Sequence, residues 1–281
     1  MRFSTGEHTM KKLIAIISAL VLLCAPISAA AVAVSVAPAL GVGGDRLTVA
    51  VRIDGNTVIT AAALEIEYDS EKMRYLSYEK GEKLDAELCT VSETGKGKIR
   101  FSFTDGESNY IGDGVLVYLS FAVNPDVTGT VKIAPTVTDG ALFDLNYIEL
   151  EYTVSASDVY ILPSSLKDAL EIKGGLIYLN RSFGAIELSQ RLGKELALKQ
   201  SYGYVGSGCK ISYKGVSFFT VYMGDVNGDA NVNTADYLAV RAHLCGAATL
   251  SAHFKAAADL SGDGTFSTAD LLYLRELLSA A

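Results

Sequence analysis

Two acidic segments near the C-terminus have residue types and a spacing that could bind a metal ion. The first runs from Asp225 to Asp236, and the second runs from Asp259 to Asp270. In both, oxygen-bearing side chains stand at positions 1, 3, 5, 9 and 12 of a twelve-residue loop, and the position 7 carbonyl adds a main-chain ligand. This pattern is typical of a Ca²⁺ loop. The predicted ligands are Asp225, Asn227, Asp229, Asn231, Asn233 and Asp236 in the first loop, and Asp259, Ser261, Asp263, Thr265, Ser267 and Asp270 in the second.

A helix is predicted to follow each loop, so the duplication extends beyond the ligands. Leu238, Arg241 and Leu244 after the first loop correspond to Leu272, Arg275 and Leu278 after the second. The alternative is a pair of Asx-rich turns that bind no metal. A single turn of that kind is common, but the same spacing repeated with matched helices is not. We therefore expect two calcium ions.

Both loops differ from an ordinary EF-hand. Position 12 is Asp where Glu is usual, which shortens the reach of the closing carboxylate. Position 6 is Gly264 in the second loop but Ala230 in the first. A left-handed turn there costs a residue with a Cβ atom about 1–2 kcal/mol. The first loop is predicted to bind calcium more weakly, unless its extra Asn ligands compensate.

The pair of loop-helix units, with Gly224 just before the first, resembles a type I dockerin. Dockerins are calcium-folded modules that bind cohesin domains of cellulosomal scaffolds. The resemblance implies that loop positions 10 and 11 contact the cohesin together with an arginine of the helix. Because both copies carry the same Thr-Ala pair, it also implies that the module can dock in two orientations. The implied partner-binding residues are Thr234, Ala235, Arg241, Thr268, Ala269 and Arg275.

Length and composition indicate a globular protein of two or three domains. The chain has 281 residues, of which 49% are hydrophobic and 20% are charged. Its formal net charge of −8 argues against nucleic acid as a partner.

The N-terminus has the three regions of a secretory signal peptide, predicted over residues 1–30. Two lysines after Met10 precede an apolar run from Leu13 to Cys24, and small residues follow. The run is shorter than the roughly 20 residues that a membrane span needs. We expect a secreted protein, free or attached to the cell surface through a scaffold.

Residues 31–157 are predicted to form a β-sandwich. Short segments alternate apolar and polar residues, as in Leu47 to Ile53 and Leu64 to Tyr68, and a last strand is expected from Ile148 to Val154. Turn signals, among them Asp105-Gly106 and Asp139-Gly140, separate the segments. Strands at this spacing without a long helical stretch favour a sandwich.

The sandwich resembles a cohesin. The resemblance rests on Ala63 to Asp69 followed by Met73 to Tyr78, and on the strand from Lys98 to Phe103. It implies a nine-stranded jelly roll that holds a dockerin on one sheet face, with Ala61-Ala62-Ala63 at the start of the recognition strand. The fold is close to that of carbohydrate-binding modules, and a fold alone does not settle function.

Residues 158–223 are predicted to form a small α+β module, and residues 224–281 form the dockerin. A hairpin is expected from Cys209 to Tyr222, with its turn at Lys214-Gly215. No linker precedes Gly224, so this module is expected to pack on the dockerin. His243 and His253 are interpreted as lying at a solvated helix end and linker.

Taken together, the sequence predicts a non-catalytic protein that assembles polysaccharide-degrading complexes. Its dockerin is expected to bind a scaffold cohesin, and its sandwich a dockerin-bearing protein. The alternative is a sandwich that binds glycan directly; Tyr110, Tyr118 and Tyr147 are its available rings, because the chain has no Trp. Glu65 and Glu67 alternate on one strand, which places them on a solvated sheet face and argues against a glycosidase pair.

Overall fold

The computed structural model describes residues 32–55, 58–82, 84, 88–104 and 112–280, and for residues 137–141 and 280 it describes only the backbone. The predicted signal peptide, Tyr110 and the predicted Asp105-Gly106 turn lie outside the described residues.

The N-terminal half is a sandwich of two β-sheets, as predicted. The first sheet contains, in spatial order, β10 (Tyr152–Ser155), β1 (Val32–Val36), β3 (Arg46–Asp54), β8 (Gly114–Val123) and β5 (Met73–Lys80). The second contains β2 (Ala39–Val42), β11 (Ser157–Leu162), β9 (Gly129–Phe143), β4 (Ala61–Tyr68), β7 (Lys98–Thr104) and β6 (Leu88–Gly95).

Side chains alternate strictly along the strands, and the apolar ones on the inner faces pack the two sheets together. In β4, Ala62, Leu64 and Ile66 are buried, while the residues between them are half-buried or exposed. The buried set meets the inner side chains of the first sheet, such as Val49 and Leu119, in a single apolar core. Burial of one face in each strand is what the sequence pattern requires.

Both ends of the sandwich chain switch from one sheet to the other. Pro38 separates β1 from β2, and proline cannot donate the N–H that a continuous strand would need. The chain between β10 and β11 switches in the same way, and each half pairs in parallel with the matching half at the other end. Among the described residues the sandwich therefore has eleven strand segments, which make the nine strands that the resemblance implies when each interrupted strand is counted once.

Two predicted features of the sandwich are wrong in detail. Asp139-Gly140 does not reverse the chain; it lies inside β9, where the pairing with β4 shifts between Ala62 and Leu64. The extra residues are accommodated as a bulge in a strand that continues. The strand expected from Ile148 begins only at Tyr152, because Ile148 lies in a turn closed by Asp144.

The middle module is an α+β unit, as predicted. Its sheet contains β12 (Leu170–Lys173), β13 (Leu176–Leu179), β16 (Val216–Val221), β15 (Lys210–Tyr213) and β14 (Ala197–Leu198). A 3-10 turn at Ser164–Leu166 precedes the sheet, and helix α1 (Ala185–Leu192) packs on it. The predicted β15–β16 hairpin is confirmed, and its turn residues Lys214 and Gly215 both have positive φ.

Strand β11 is shared by the sandwich and the middle module. Val159 and Ile161 lie in the sandwich core, whereas Tyr160 and Leu162 lie in the module core. The strand therefore crosses the expected boundary between residues 157 and 158, and both of its faces are covered. The neighbouring strand β2 contributes Leu40 and Val42 to the module core.

The C-terminal region contains the helices α2 (Thr234–Leu244), α3 (Ala252–Ala258) and α4 (Thr268–Ala280). Val240 of α2 and Leu274 of α4 occupy equivalent places in the repeat, and both are buried in the small core of this region. Within the described part of the chain, no helix combines the length and apolarity that crossing a bilayer would take.

Candidate functional site

The first loop closes around two fully buried carboxylates. The Asp225 carboxylate accepts hydrogen bonds from the backbone N–H groups of Gly228 at 2.7 Å and Ala230 at 3.1 Å. The Asp236 carboxylate accepts from those of Val226 at 2.8 Å and Asn227 at 3.1 Å. Both side chains are 0% exposed. Asp236 therefore joins the end of the loop to its start, and Asp225 joins the start to the middle.

The second loop repeats this arrangement. The Asp259 carboxylate accepts from the N–H groups of Gly262 and Gly264, each at 2.9 Å. Asp270, 1% exposed, accepts from the N–H of Ser261 at 3.0 Å. The two loops, which are similar in sequence, therefore also have matching hydrogen bonds.

The last predicted ligands also start the helices. Asn233 is the N-cap of α2, where its side chain accepts the N–H of Ala235 at 2.8 Å while Asp236 accepts the N–H of Asn233 at 2.9 Å. This is a capping box. At the start of α4, the Asp270 carboxylate accepts the N–H of Ser267 at 2.8 Å, which is the counterpart of the bond from Asn233 to Asp236.

Burial and hydrogen bonds act on the carboxylates in opposite directions. Burial raises the pKa of Asp225, and the neighbouring Asp236 carboxylate adds to that rise. The exposed Asp229 has a lowered pKa because the N–H of Asn231 donates to it. For Asp270, burial favours the neutral acid, but donors led by Ser261 outweigh it and lower the pKa.

The oxygens in each loop suit a hard cation. Each loop has three predicted carboxylate ligands, and the others are amides or hydroxyls. Among the described residues, no group of three or more His, Cys, Asp or Glu side chains is gathered around one point. The three carboxylates of a loop are instead turned to different backbone N–H groups. The chemistry of the donors fits calcium, and the predicted ligands stay predictions.

Position 6 has a left-handed backbone in both loops. The φ angle is +66° at Ala230 and +81° at Gly264. The left-handed turn expected in the first loop is therefore confirmed, and a residue with a Cβ atom occupies it.

Each of the two major helices presents the same exposed surface. Thr234, Ala235 and Arg241 of α2 are exposed, as are their counterparts Thr268, Ala269 and Arg275 of α4. Leu238 is 55% exposed and Leu272 is 51% exposed at equivalent places between them. An apolar residue at the centre of an exposed patch is a candidate contact. Leu238 and Leu272 were not among the predicted contact residues, although their repetition beside the two Thr-Ala pairs is visible in the sequence.

The outer face of the second sandwich sheet carries small and polar residues. Ala63 on β4 lies opposite Ser102 on β7, and Ser102 hydrogen bonds to Thr90 on β6 at 2.9 Å. Leu88 at the edge is 63% exposed. This face includes the predicted recognition strand.

Glu65 and Glu67 hold the Lys98 ammonium at 2.9 Å each, next to this face. The hydrogen bonds that the Lys98 ammonium donates to these two carboxylates raise its pKa. Both carboxylates lie on the outer face of β4, as their alternate positions predict, and they share one lysine.

The candidate sugar-binding tyrosines that the structure describes lie in different environments. Tyr118, on the first sheet, donates to Glu82 at 3.3 Å, while Tyr147 is 76% exposed in the turn after β9. These two rings do not lie on one sheet face. His253, expected to be solvated, instead stacks on Phe219 of β16 with ring centroids 4.9 Å apart, and burial lowers its pKa.

Comparison with known families identifies both terminal regions. Residues 32–157 match the cohesin domain model, and residues 223–279 match the type I dockerin domain model. A search of the curated proteins found no match.

Solved cohesin structures are similar over slightly less than half of the chain. The sixth cohesin of scaffoldin B from Acetivibrio cellulolyticus, solved with a dockerin, is 21% identical and has a TM-score of 0.43; the match covers 47% of this chain and 99% of that one. A type I cohesin–dockerin complex from Clostridium thermocellum is 21% identical and has a TM-score of 0.44; the match covers 47% of this chain and 99% of that one. A non-cellulosomal cohesin from the archaeon Archaeoglobus fulgidus is 16% identical and has a TM-score of 0.42; the match covers 49% of this chain and 96% of that one.

Both matched families are non-catalytic interaction domains, and type I dockerins bind calcium. Their presence indicates assembly of the cellulosome type, whose components are extracellular. This chain carries a cohesin domain at residues 32–157 and a type I dockerin domain at residues 223–279.

Proposed function

We propose that this protein is a secreted adaptor that binds one partner at each end. Its dockerin attaches to a cohesin of a larger scaffold, while its sandwich holds a dockerin-bearing protein, such as a polysaccharide-degrading enzyme. The observation that carries this proposal is that one chain has both halves of the cohesin–dockerin pair, and that the predicted contact residues of the dockerin are all exposed.

Two calcium ions, one in each loop, order the dockerin. Asp225 and Asp236 are buried side by side in the first loop, and burying two negative charges together is unfavourable without a cation. The dockerin core is small, so the energy of metal binding contributes to its folding. The chain's own residues then present the outer surfaces of α2 and α4 to the cohesin.

The sandwich binds its partner through the outer face of β4, β7 and β6. A surface of small and polar residues suits a protein partner, whereas a sugar chain is usually held by aromatic platforms. Leu88 and the half-buried Ala61 and Ala63 of β4 supply the apolar contacts there.

The test uses the full mature chain as bait for the secreted proteins of its source organism. Ala235→Arg and Ala269→Arg together disable the bait's own dockerin surfaces, so that retained proteins report on the sandwich. Dockerin-bearing proteins should then be retained and released by EGTA, because dockerins need calcium.

Ala63→Arg in this bait should abolish retention, whereas Thr48→Arg, an exposed position on the other sheet, should not. Equal retention by both variants would contradict the proposed face. Retention of the bait on insoluble polysaccharide, with no dockerin-bearing protein captured, would support the glycan alternative instead.

A further inference from the structure

The segment Gly206-Ser207-Gly208 of the middle module is inserted against the first calcium loop. The N–H of Ser207 donates to the Asp225 carboxylate at 2.8 Å, in a fully buried contact. Asp225 thus has a hydrogen-bond donor from outside the dockerin, in addition to those of its own loop. The hydrogen bonds described for Asp259, its counterpart, all come from the second loop itself.

Two glycines allow this close approach. A Cβ atom on Gly206 would lie 2.5 Å from the Asp225 carboxylate and 2.7 Å from the Ala230 nitrogen. A Cβ atom on Gly208 would lie 2.9 Å from the His253 ring. The segment therefore fits between the loop and α3 only because these side chains are absent.

The segment is held from behind by strand β16. The hydroxyl of Thr220, which is 0% exposed, donates to the Gly206 carbonyl at 2.6 Å, and the Gly208 N–H donates to the Thr220 carbonyl at 2.8 Å. The Ser207 hydroxyl bridges to the backbone of Tyr222. The position of the Ser207 N–H is thus fixed by the module's own sheet.

We propose that the middle module completes the first calcium site, so that calcium binding at this loop and the folding of residues 158–223 stabilise each other. This inference rests on the proposed binding of calcium to the first loop. Ser207 acts as a positioning residue: its N–H holds one carboxylate oxygen of Asp225 and so orients the other toward the loop interior. The contact also supports a loop strained at Ala230.

Gly206→Ala tests this coupling. The φ angle of Gly206 lies outside the left-handed region, so an added methyl group causes no backbone strain and acts only through the clash with Asp225 and Ala230. The matched control is Gly184→Ala in the same module, where an added Cβ atom meets nothing within 4 Å. Asp263→Ala or Asp229→Ala, each in the full chain, leaves a single intact loop for calorimetric titration with Ca²⁺.

With only the first loop intact, Gly206→Ala should weaken calcium binding at least tenfold, and Gly184→Ala should not. With only the second loop intact, neither substitution should have an effect. Equal losses at both loops, or no loss at the first, would overturn the inference while leaving the calcium proposal intact. A parent chain that binds no calcium would overturn both.

A second measurement needs no variant that could misfold. Coupling between two sites is reciprocal, so calcium should protect the module. In the unmodified chain, the amides of Ser207, Gly208 and Thr220 should exchange with solvent more slowly in Ca²⁺ than in EGTA. Amides of the distant edge strand β6, which can exchange by local fraying, should change less. Unchanged exchange at Ser207 in a chain that binds calcium would contradict the inference.

Discussion

Ala230 and Gly264 occupy the same place in the two loops with nearly the same backbone, so a reciprocal exchange isolates the effect of one methyl group. Ala230→Gly should strengthen calcium binding at the first loop by roughly fivefold, because it relieves about 1 kcal/mol of left-handed strain. Gly264→Ala should weaken binding at the second loop by a similar factor. An added Cβ atom there meets nothing within 4 Å, so only the backbone is affected.

Calorimetric titration of the full chain, again with one loop intact at a time, measures both effects. Opposite changes of similar size are the expected result. An Ala230→Gly variant that binds no more tightly would mean that the loop adopts its turn before calcium arrives and loses nothing by it.

Tyr68 links two strands of the second sheet and provides a pH-dependent contribution to stability. Its hydroxyl donates to Glu93 at 2.7 Å, and burial followed by this hydrogen bond raises its pKa to about 12 from 10.0. The folded protein therefore keeps this proton at pH values where the unfolded chain loses it. The contribution is complete below about pH 10 and is lost as the pH rises toward 12.

Tyr68→Phe should lower the free energy of unfolding at pH 7 by about 0.5–1.5 kcal/mol, because one hydrogen bond is lost. It should also make stability less sensitive to pH between 10 and 12, since no phenol remains at this position. Urea unfolding across that range measures both, with the exposed Tyr147→Phe as the control. A variant whose alkaline loss equals that of the parent would contradict the assignment.

At the scale of elements, the repeated loop-helix units and the sandwich were the parts that the sequence made predictable. The loop-helix units were predictable because the same residue types repeat at fixed positions, and the sandwich because apolar and polar residues alternate. Strand β11 was harder, because the run Val159 to Leu162 is apolar on both faces. Such a run indicates a strand covered on both sides, but only the folded chain shows that the second cover is the middle module.

Helix α1 was missed for a different reason. Its N-cap is Gly184, and no side chain caps it, so the usual start signal is absent. The position of the Gly206 segment could not be predicted either, since it depends on a close approach between residues far apart in sequence.

The shared strand predicts where the chain can be cut. A fragment 32–157 lacks β11, which leaves β2 and β9 without their common neighbour, and it should fail to fold. A fragment 32–162 should fold but self-associate, because it exposes Leu40, Tyr160 and Leu162. A fragment 32–223 should be monomeric. Size-exclusion chromatography with thermal unfolding distinguishes these outcomes, and a monomeric 32–157 that unfolds cooperatively would contradict them.

At the scale of the whole molecule, the sandwich and the middle module should unfold as one unit, because β2 and β11 belong to both cores. Leu188→Ala in α1 and Val49→Ala in β3 lie in different cores, and both residues are 0% exposed. Each substitution should lower the temperature of the same calorimetric transition, with roughly 2–5 kcal/mol lost for the leucine. EGTA should lower the temperature of a separate dockerin transition most, and that of the shared transition to a smaller extent, because calcium also stabilises the module through Ser207. The contrary outcome is that Leu188→Ala produces a new transition at lower temperature and leaves that of the sandwich unchanged. The module would then be an independent domain joined by a flexible contact. In that case the two binding surfaces would not be held at a fixed relative orientation.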